Sequence, residues 1–91
     1  MENKSKKIDL HGCSLAEAEY YLIDEILENE QLGYNSLRII HGFNHGVAIR
    51  TMIRKKFVKR YYKFFKDQNI KIRIKPLDEG RTQIRIHNSN I

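Results

Sequence analysis

Tryptophan is absent from this 91-residue chain, and cysteine and proline each occur once. A lone Cys13 allows no internal disulfide and no CxxC metal pair, which excludes disulfide scaffolds and zinc ribbons. No apolar run approaches the ~18 residues of a membrane helix. Met1 to Lys7 is polar and basic with no apolar segment behind it, so it does not read as a signal peptide. A cytoplasmic protein is expected. The length suits one domain, whose small core buries only about 60–65% of the surface exposed by the unfolded chain. Hydrophobic residues at 41% and charged residues at 31% describe a soluble globular composition. The expected boundaries are a basic flexible tail over residues 1–7 and a single domain over 8–91.

What is abundant is positive charge, unevenly placed. The formal net charge is +6. Residues 1–34 carry eight acids against three lysines, whereas residues 35–91 carry fourteen bases against three acids. From Arg50 to Lys66 there are eight basic side chains and no acidic one. A concentrated cationic surface attracts polyanions, because each phosphate neutralised releases condensed counterions. The expected partners are nucleic acid, RNA or DNA, and the ribosome, with no membrane and a monomer as the working state. A solvated helix surface is the plainer reading of the same charges.

Periodicity supplies the elements. Ile8-Asp9-Leu10 alternates as a strand and stops at His11-Gly12. Ser14 stands three residues before Glu17, a capping box that opens a helix with Leu15, Ala18, Leu22 and Ile26 as its buried stripe. Six acids from Glu17 to Glu30 form its polar side, and Gly33 marks its end. Leu37 to Ile40 is a second strand that also stops at His-Gly, here His41-Gly42. The loop Phe43-Asn44-His45-Gly46 leads into a second helix with Ile49, Ile53 and Phe57 as its seam. Whether that helix runs on through Tyr61 to Phe65 or breaks near Val58 is open from sequence. Tyr61, Tyr62, Phe64 and Phe65 read as core or rim before they read as a base-stacking platform. Ile70, Ile72 and Ile74 alternate with Lys71, Arg73 and Lys75, and after a turn from Pro76 to Gly80, Thr82 to Ile86 alternates again as a hairpin partner. The order β-α-β-α-β-β implies right-handed crossovers and a mixed four-stranded sheet, parallel at its start and antiparallel at its last pair.

Both His-Gly pairs lie at the carboxyl end of a strand and ahead of a helix, the edge at which open α/β sheets bind ligands. If the two strands are neighbours, His11 and His41 converge on one rim. Asp9 and His11 are two apart and leave the same face, with Cα atoms ~6.5–7 Å apart. A carboxylate at that distance can orient an imidazole, the side chain best matched to proton transfer near neutral pH. Cleavage of RNA by its own 2′-hydroxyl needs a proton acceptor, a proton donor and stabilisation of charge on phosphorus. His11, His41 and Arg50 at a helix start could supply them. The plainer reading makes Asp9 a backbone cap and His11 a structural residue. A metal set from His11, His41, His45 and an acid is a weak alternative, since the pattern lacks a helical i, i+4 histidine pair. No cofactor is required by the sequence; a divalent cation, magnesium or manganese, is the one it admits.

Ile8-Asp9-Leu10-His11-Gly12 before a capped helix, followed by Ile39-Ile40-His41-Gly42 and a basic helix, resembles an Smr domain, the small MutS-related domain, in a stand-alone bacterial short form. The resemblance runs from Ile8 to about His87. It implies a two-layer βαβαββ sandwich, a mixed four-stranded sheet with helices packed against it, similar to the C-terminal domain of translation initiation factor three. It also implies an endonuclease that cleaves RNA or nicks DNA. The family's first box falls on Asp9 and His11, and its second, usually H-G-x-G, on His41, Gly42 and Gly46. Asn44 replaces the middle glycine; asparagine is a side chain that tolerates left-handed backbone. The catalytic set so implied is Asp9, His11 and His41. The nucleic-acid-binding set is Gly42, Asn44, His45, Gly46, Arg50, Arg54, Lys55 and Lys59. The alternative function is a non-catalytic nucleic-acid- or ribosome-binding module on the same fold, and a third is a protein adaptor working through its acidic and basic helices.

Overall fold

A computed structural model describes residues 4–42 and 46–88. The chain forms β1 (Ser5–Asp9), α1 (Leu15–Gln31), β2 (Ser36–Ile40), α2 (Val47–Thr51), α3 (Val58–Arg60), α4 (Tyr62–Lys66), β3 (Ile70–Pro76) and β4 (Arg81–Asn88). A π-helical segment, Met52–Phe57, joins α2 to α3. β1 begins three residues before Ile8, so Ser5 to Lys7 of the expected tail run in the sheet. Their backbone finds partners there: Ser5 to Asp9 pair in parallel register with Ser36 to Ile40.

The strand order is β1-β2-β4-β3, with β1 parallel to β2 and the other two pairings antiparallel. The alternation of each strand places Ile8, Leu37, Ile39, Ile84, Ile86, Ile70 and Ile72 on one face, where all are buried. They form one core with Ala18, Leu22, Ile26, Ile49, Ile53, Phe57 and Phe65 of the helices. The helices therefore cover a single face of the sheet, and among the described residues the other face is left open. This is the mixed two-layer arrangement expected from sequence.

Ser14 caps α1 as a full capping box: its hydroxyl accepts from Glu17 N at 3.1 Å and its own N–H donates to Glu17 at 2.9 Å. Leu15, expected in the buried stripe, is 46% exposed. As the first residue of the helix it lies at the rim, and Asn29 instead extends the stripe of Ala18, Leu22 and Ile26. The second helical run is interrupted. Its π-helical turn keeps Ile49, Ile53 and Phe57 on the core side despite their uniform four-residue spacing. At Tyr61 (φ −109°, ψ 14°) the axis breaks, and α4 returns Phe65 to the core. Tyr62 and Phe64 stay exposed, as rim positions.

Candidate functional site

β1 and β2 are parallel neighbours, so the two His-Gly corners meet on one rim. Each glycine has left-handed backbone, Gly12 at φ +85° and Gly42 at φ +87°, a conformation that favours glycine. A Cβ added to Gly42 would lie 3.8 Å from the His11 Cβ, which shows how closely the corners approach. At Gly46 a Cβ would fall 2.0 Å from the His41 carbonyl oxygen, so the chain returns to the corner only because position 46 has no side chain.

At the first corner Asp9 Oδ1 lies 2.8 Å from His11 Nδ1 and also accepts the His11 backbone N–H at 3.0 Å. The imidazole and the carboxylate are both well exposed, 72% and 50%. The hydrogen bonds from His11, side chain before backbone, hold the Asp9 carboxyl below its usual range. Asp9 is therefore an anion that accepts from Nδ1–H, and this leaves Nε2 of His11 facing solvent with an available lone pair.

The second corner has the same sequence pattern and the opposite environment. His41 is 1% exposed. It is in phase with Leu37 and Ile39 and faces the helical layer, away from the face that carries Asp9. Its Nδ1 lies 3.2 Å from the Gly42 carbonyl, which can only accept, so Nδ1 carries the proton. Nε2 then accepts from the Thr82 hydroxyl at 2.9 Å, and Thr82 Oγ1 accepts from Arg54 Nε at 2.8 Å. Burial foremost, and the nearby Arg54 and Arg50 charges, hold the His41 pKa below its ordinary value. His41 is thus a neutral imidazole with both nitrogens engaged.

The remaining expected residues divide. Gly42, Gly46, Arg50 and Arg54 gather at the second corner. Arg54 spends Nη2 on the Asp78 and Arg81 carbonyls, and Arg50 donates to the Glu79 carbonyl at 3.2 Å. Both guanidinium groups brace the β3–β4 turn. Lys55 and Lys59 are exposed on the helical layer, beside the buried Ile53 and Phe57. Asn44 and His45, with Phe43, lie outside the described residues. Among the described residues, no three of His, Cys, Asp and Glu come together as metal ligands. Cys13 is half-buried against the core.

Sequence reasoning missed the β3–β4 turn as a part of this rim. The Gly80 carbonyl accepts from both His41 N (3.0 Å) and Gly42 N (3.1 Å), while the Thr82 hydroxyl donates to His41 Nε2. Thr82 is fully buried in phase with Ile84 and Ile86, and a buried hydroxyl in an apolar strand phase was the one signal available.

The chain's similarity to known proteins agrees with this geometry. The Smr domain family model matches residues 8–82. Among solved structures, the crystal structure of the Smr domain of Thermus thermophilus MutS2 is similar at a TM-score of 0.63 and 27% identity, covering 90% of this chain and 98% of that one. No curated protein matches the chain in sequence.

Proposed function

The chain belongs to the Smr domain family, and from that premise we propose that it is an RNA endonuclease whose reacting group is His11. The observation that carries this reading is the exposed Asp9–His11 pair, 2.8 Å apart, at the shared rim of two parallel strands. Nε2 of His11 takes the proton of a 2′-hydroxyl. The 2′-oxygen then forms a bond to phosphorus, the bond from phosphorus to the 5′-oxygen breaks, and the leaving oxygen is protonated by water. Asp9 holds the imidazole tautomer and stabilises the imidazolium that forms. RNA is favoured over DNA because RNA carries its own nucleophile, so one positioned imidazole suffices; DNA would need a positioned water as well. His41 serves as a positioning residue, holding Gly42 beside His11.

The first test is cleavage of end-labelled RNA and of supercoiled plasmid by purified wild type, Asp9→Asn and His11→Ala, each with magnesium and with chelator. Removal of a general acid–base group lowers the rate about 10²–10⁴-fold. The expected result is cutting of RNA by wild type alone, with cyclic phosphate ends and undiminished binding by the variants. Equal cutting by all three proteins would sink the assignment.

One observation favours a second reading, binding without cleavage. His41, the other histidine on this rim among the described residues, has both nitrogens engaged and so presents no proton donor. RNA bound equally by wild type and His11→Ala, and cut by neither, would establish that reading instead.

A further inference from the structure

The open face of the sheet has a charge pattern that folding does not explain. In strand phase it carries Lys7 on β1, Arg38 on β2, Arg85 on β4, and Lys71, Arg73 and Lys75 on β3. Register aligns them in rows. Lys7 lies opposite Arg38, Arg38 opposite Gln83, and Gln83 opposite Lys75, so one row crosses all four strands. The next row sets Arg85 directly against Arg73. Like charges facing across a strand pair oppose folding. Among the described residues none of these six cations is in a salt bridge with a carboxylate. The one acid in strand phase on this face is Asp9, which is committed to His11.

We infer that this open sheet face is a binding surface for the phosphate backbone of RNA, and that it leads the strand to the Asp9–His11 corner. The inference rests on the nuclease reading above, since it supplies that reading's substrate track. Lys7 and Asp9 follow one another on the same side of β1, and Asp9 holds His11 just past the strand end, so the cation rows end at the proposed reacting imidazole. Rows ~6.5–7 Å apart along each strand and ~4.8 Å apart across strands form a regular lattice of positive charge, suited to a polymer with one negative charge per residue. The strand positions of this face hold no phenylalanine or tyrosine, and a single ring, His87 opposite Lys71, makes no stacking platform for successive bases. Contact is therefore with phosphates, and recognition is tolerant of base sequence. The exposed lysines of the helical layer, including Lys55 and Lys59, lie on the other side of the molecule from this track.

The test is fluorescence anisotropy of a short fluorescein-labelled single-stranded RNA with the full chain, across roughly 50–200 mM salt. Wild type is compared with Arg73→Gln/Arg85→Gln and, on the helical layer, Lys55→Gln/Lys59→Gln. The sheet pair is expected to bind about tenfold more weakly at low salt and to lower the salt slope by about 1.4. The helical pair loses less of both. Because the sheet variant removes a like-charge pair, its thermal midpoint should equal or exceed that of wild type, which separates lost binding from lost folding. Should it not fold, Lys7→Gln/Arg38→Gln tests the same surface on other strands. A slope change carried by the helical pair alone would overturn this inference and leave the nuclease reading standing. Failure of wild type to bind RNA at low salt would overturn both.

Discussion

His11 and His41 arise from the same local pattern, strand then His-Gly then helix, yet one is a solvent-facing imidazole and the other a buried strut. The difference is strand phase. His11 falls in step with Asp9 and Lys7 on the open side, whereas His41 falls in step with Ile39 and meets Thr82 beneath the helices. That burial has a pH consequence. The folded-state pKa of His41 lies below its ordinary value of 6.5. Below that pH the unfolded chain binds a proton that the folded chain refuses, so unfolding takes up protons and stability falls. The contribution is complete above about pH 6.5 and is lost as pH drops toward the folded value. Urea midpoints measured from about pH 7.5 to about pH 5 should fall for wild type and fall less steeply for His41→Gln. Identical slopes would show that His41 is not the group responsible. Asp9 and His11 were legible in sequence because they stand two residues apart at the end of one strand; the role of Thr82 was not, because its partner is 41 residues away.

Between elements, the second helical run depends on α1 for its direction. Phe57, Tyr61 and Phe65 stack along it, with ring centroids 5.0 Å apart for Phe57–Tyr61 and 6.0 Å for Phe57–Phe65. Where the axis breaks at Tyr61, Glu19 of α1 accepts from the Tyr61 hydroxyl and from Arg60. These bonds, Tyr61's before Arg60's, hold the Glu19 carboxyl below its usual range. Glu19→Gln should therefore lower stability at neutral pH by about 1 kcal/mol, a figure kept small because Arg60 is half exposed. A carboxylate with a lowered pKa contributes above its unfolded value and loses that contribution as pH falls through the folded one. The gap between variant and wild type should close on acidification below the usual glutamate range of about 4.3. Chemical denaturation at both pH values checks this, and a gap that persists in acid would place the effect in packing. Apolar spacing of four residues predicted the seam of this run; its π-helical turn and the place of its break at Tyr61 were not legible, because they answer to the sheet beneath and to Glu19 across the layer.

At the scale of the whole molecule, a net charge of +6 and a sheet face with six cations in no salt bridge among the described residues mean that the folded chain repels itself. Screening should stabilise the fold while it weakens the proposed RNA binding. Raising salt from about 50 to about 500 mM is expected to raise the thermal midpoint by about 2–4 °C. A midpoint that falls with salt would mean that favourable ion pairs, such as Arg60–Glu19, outweigh the repulsion. The sequence alone determined the order of strands and helical runs, the capped first helix, the β3–β4 hairpin and the closeness of Asp9 to His11, because each depends on residues within a turn or a strand of one another. Tertiary structure decided the rest: that β4 enters between β2 and β3, that the Gly80 turn clamps the second corner, and that the basic strand residues share one open face. Those outcomes depend on which strands become neighbours and in what register, and that is set by how the whole core packs.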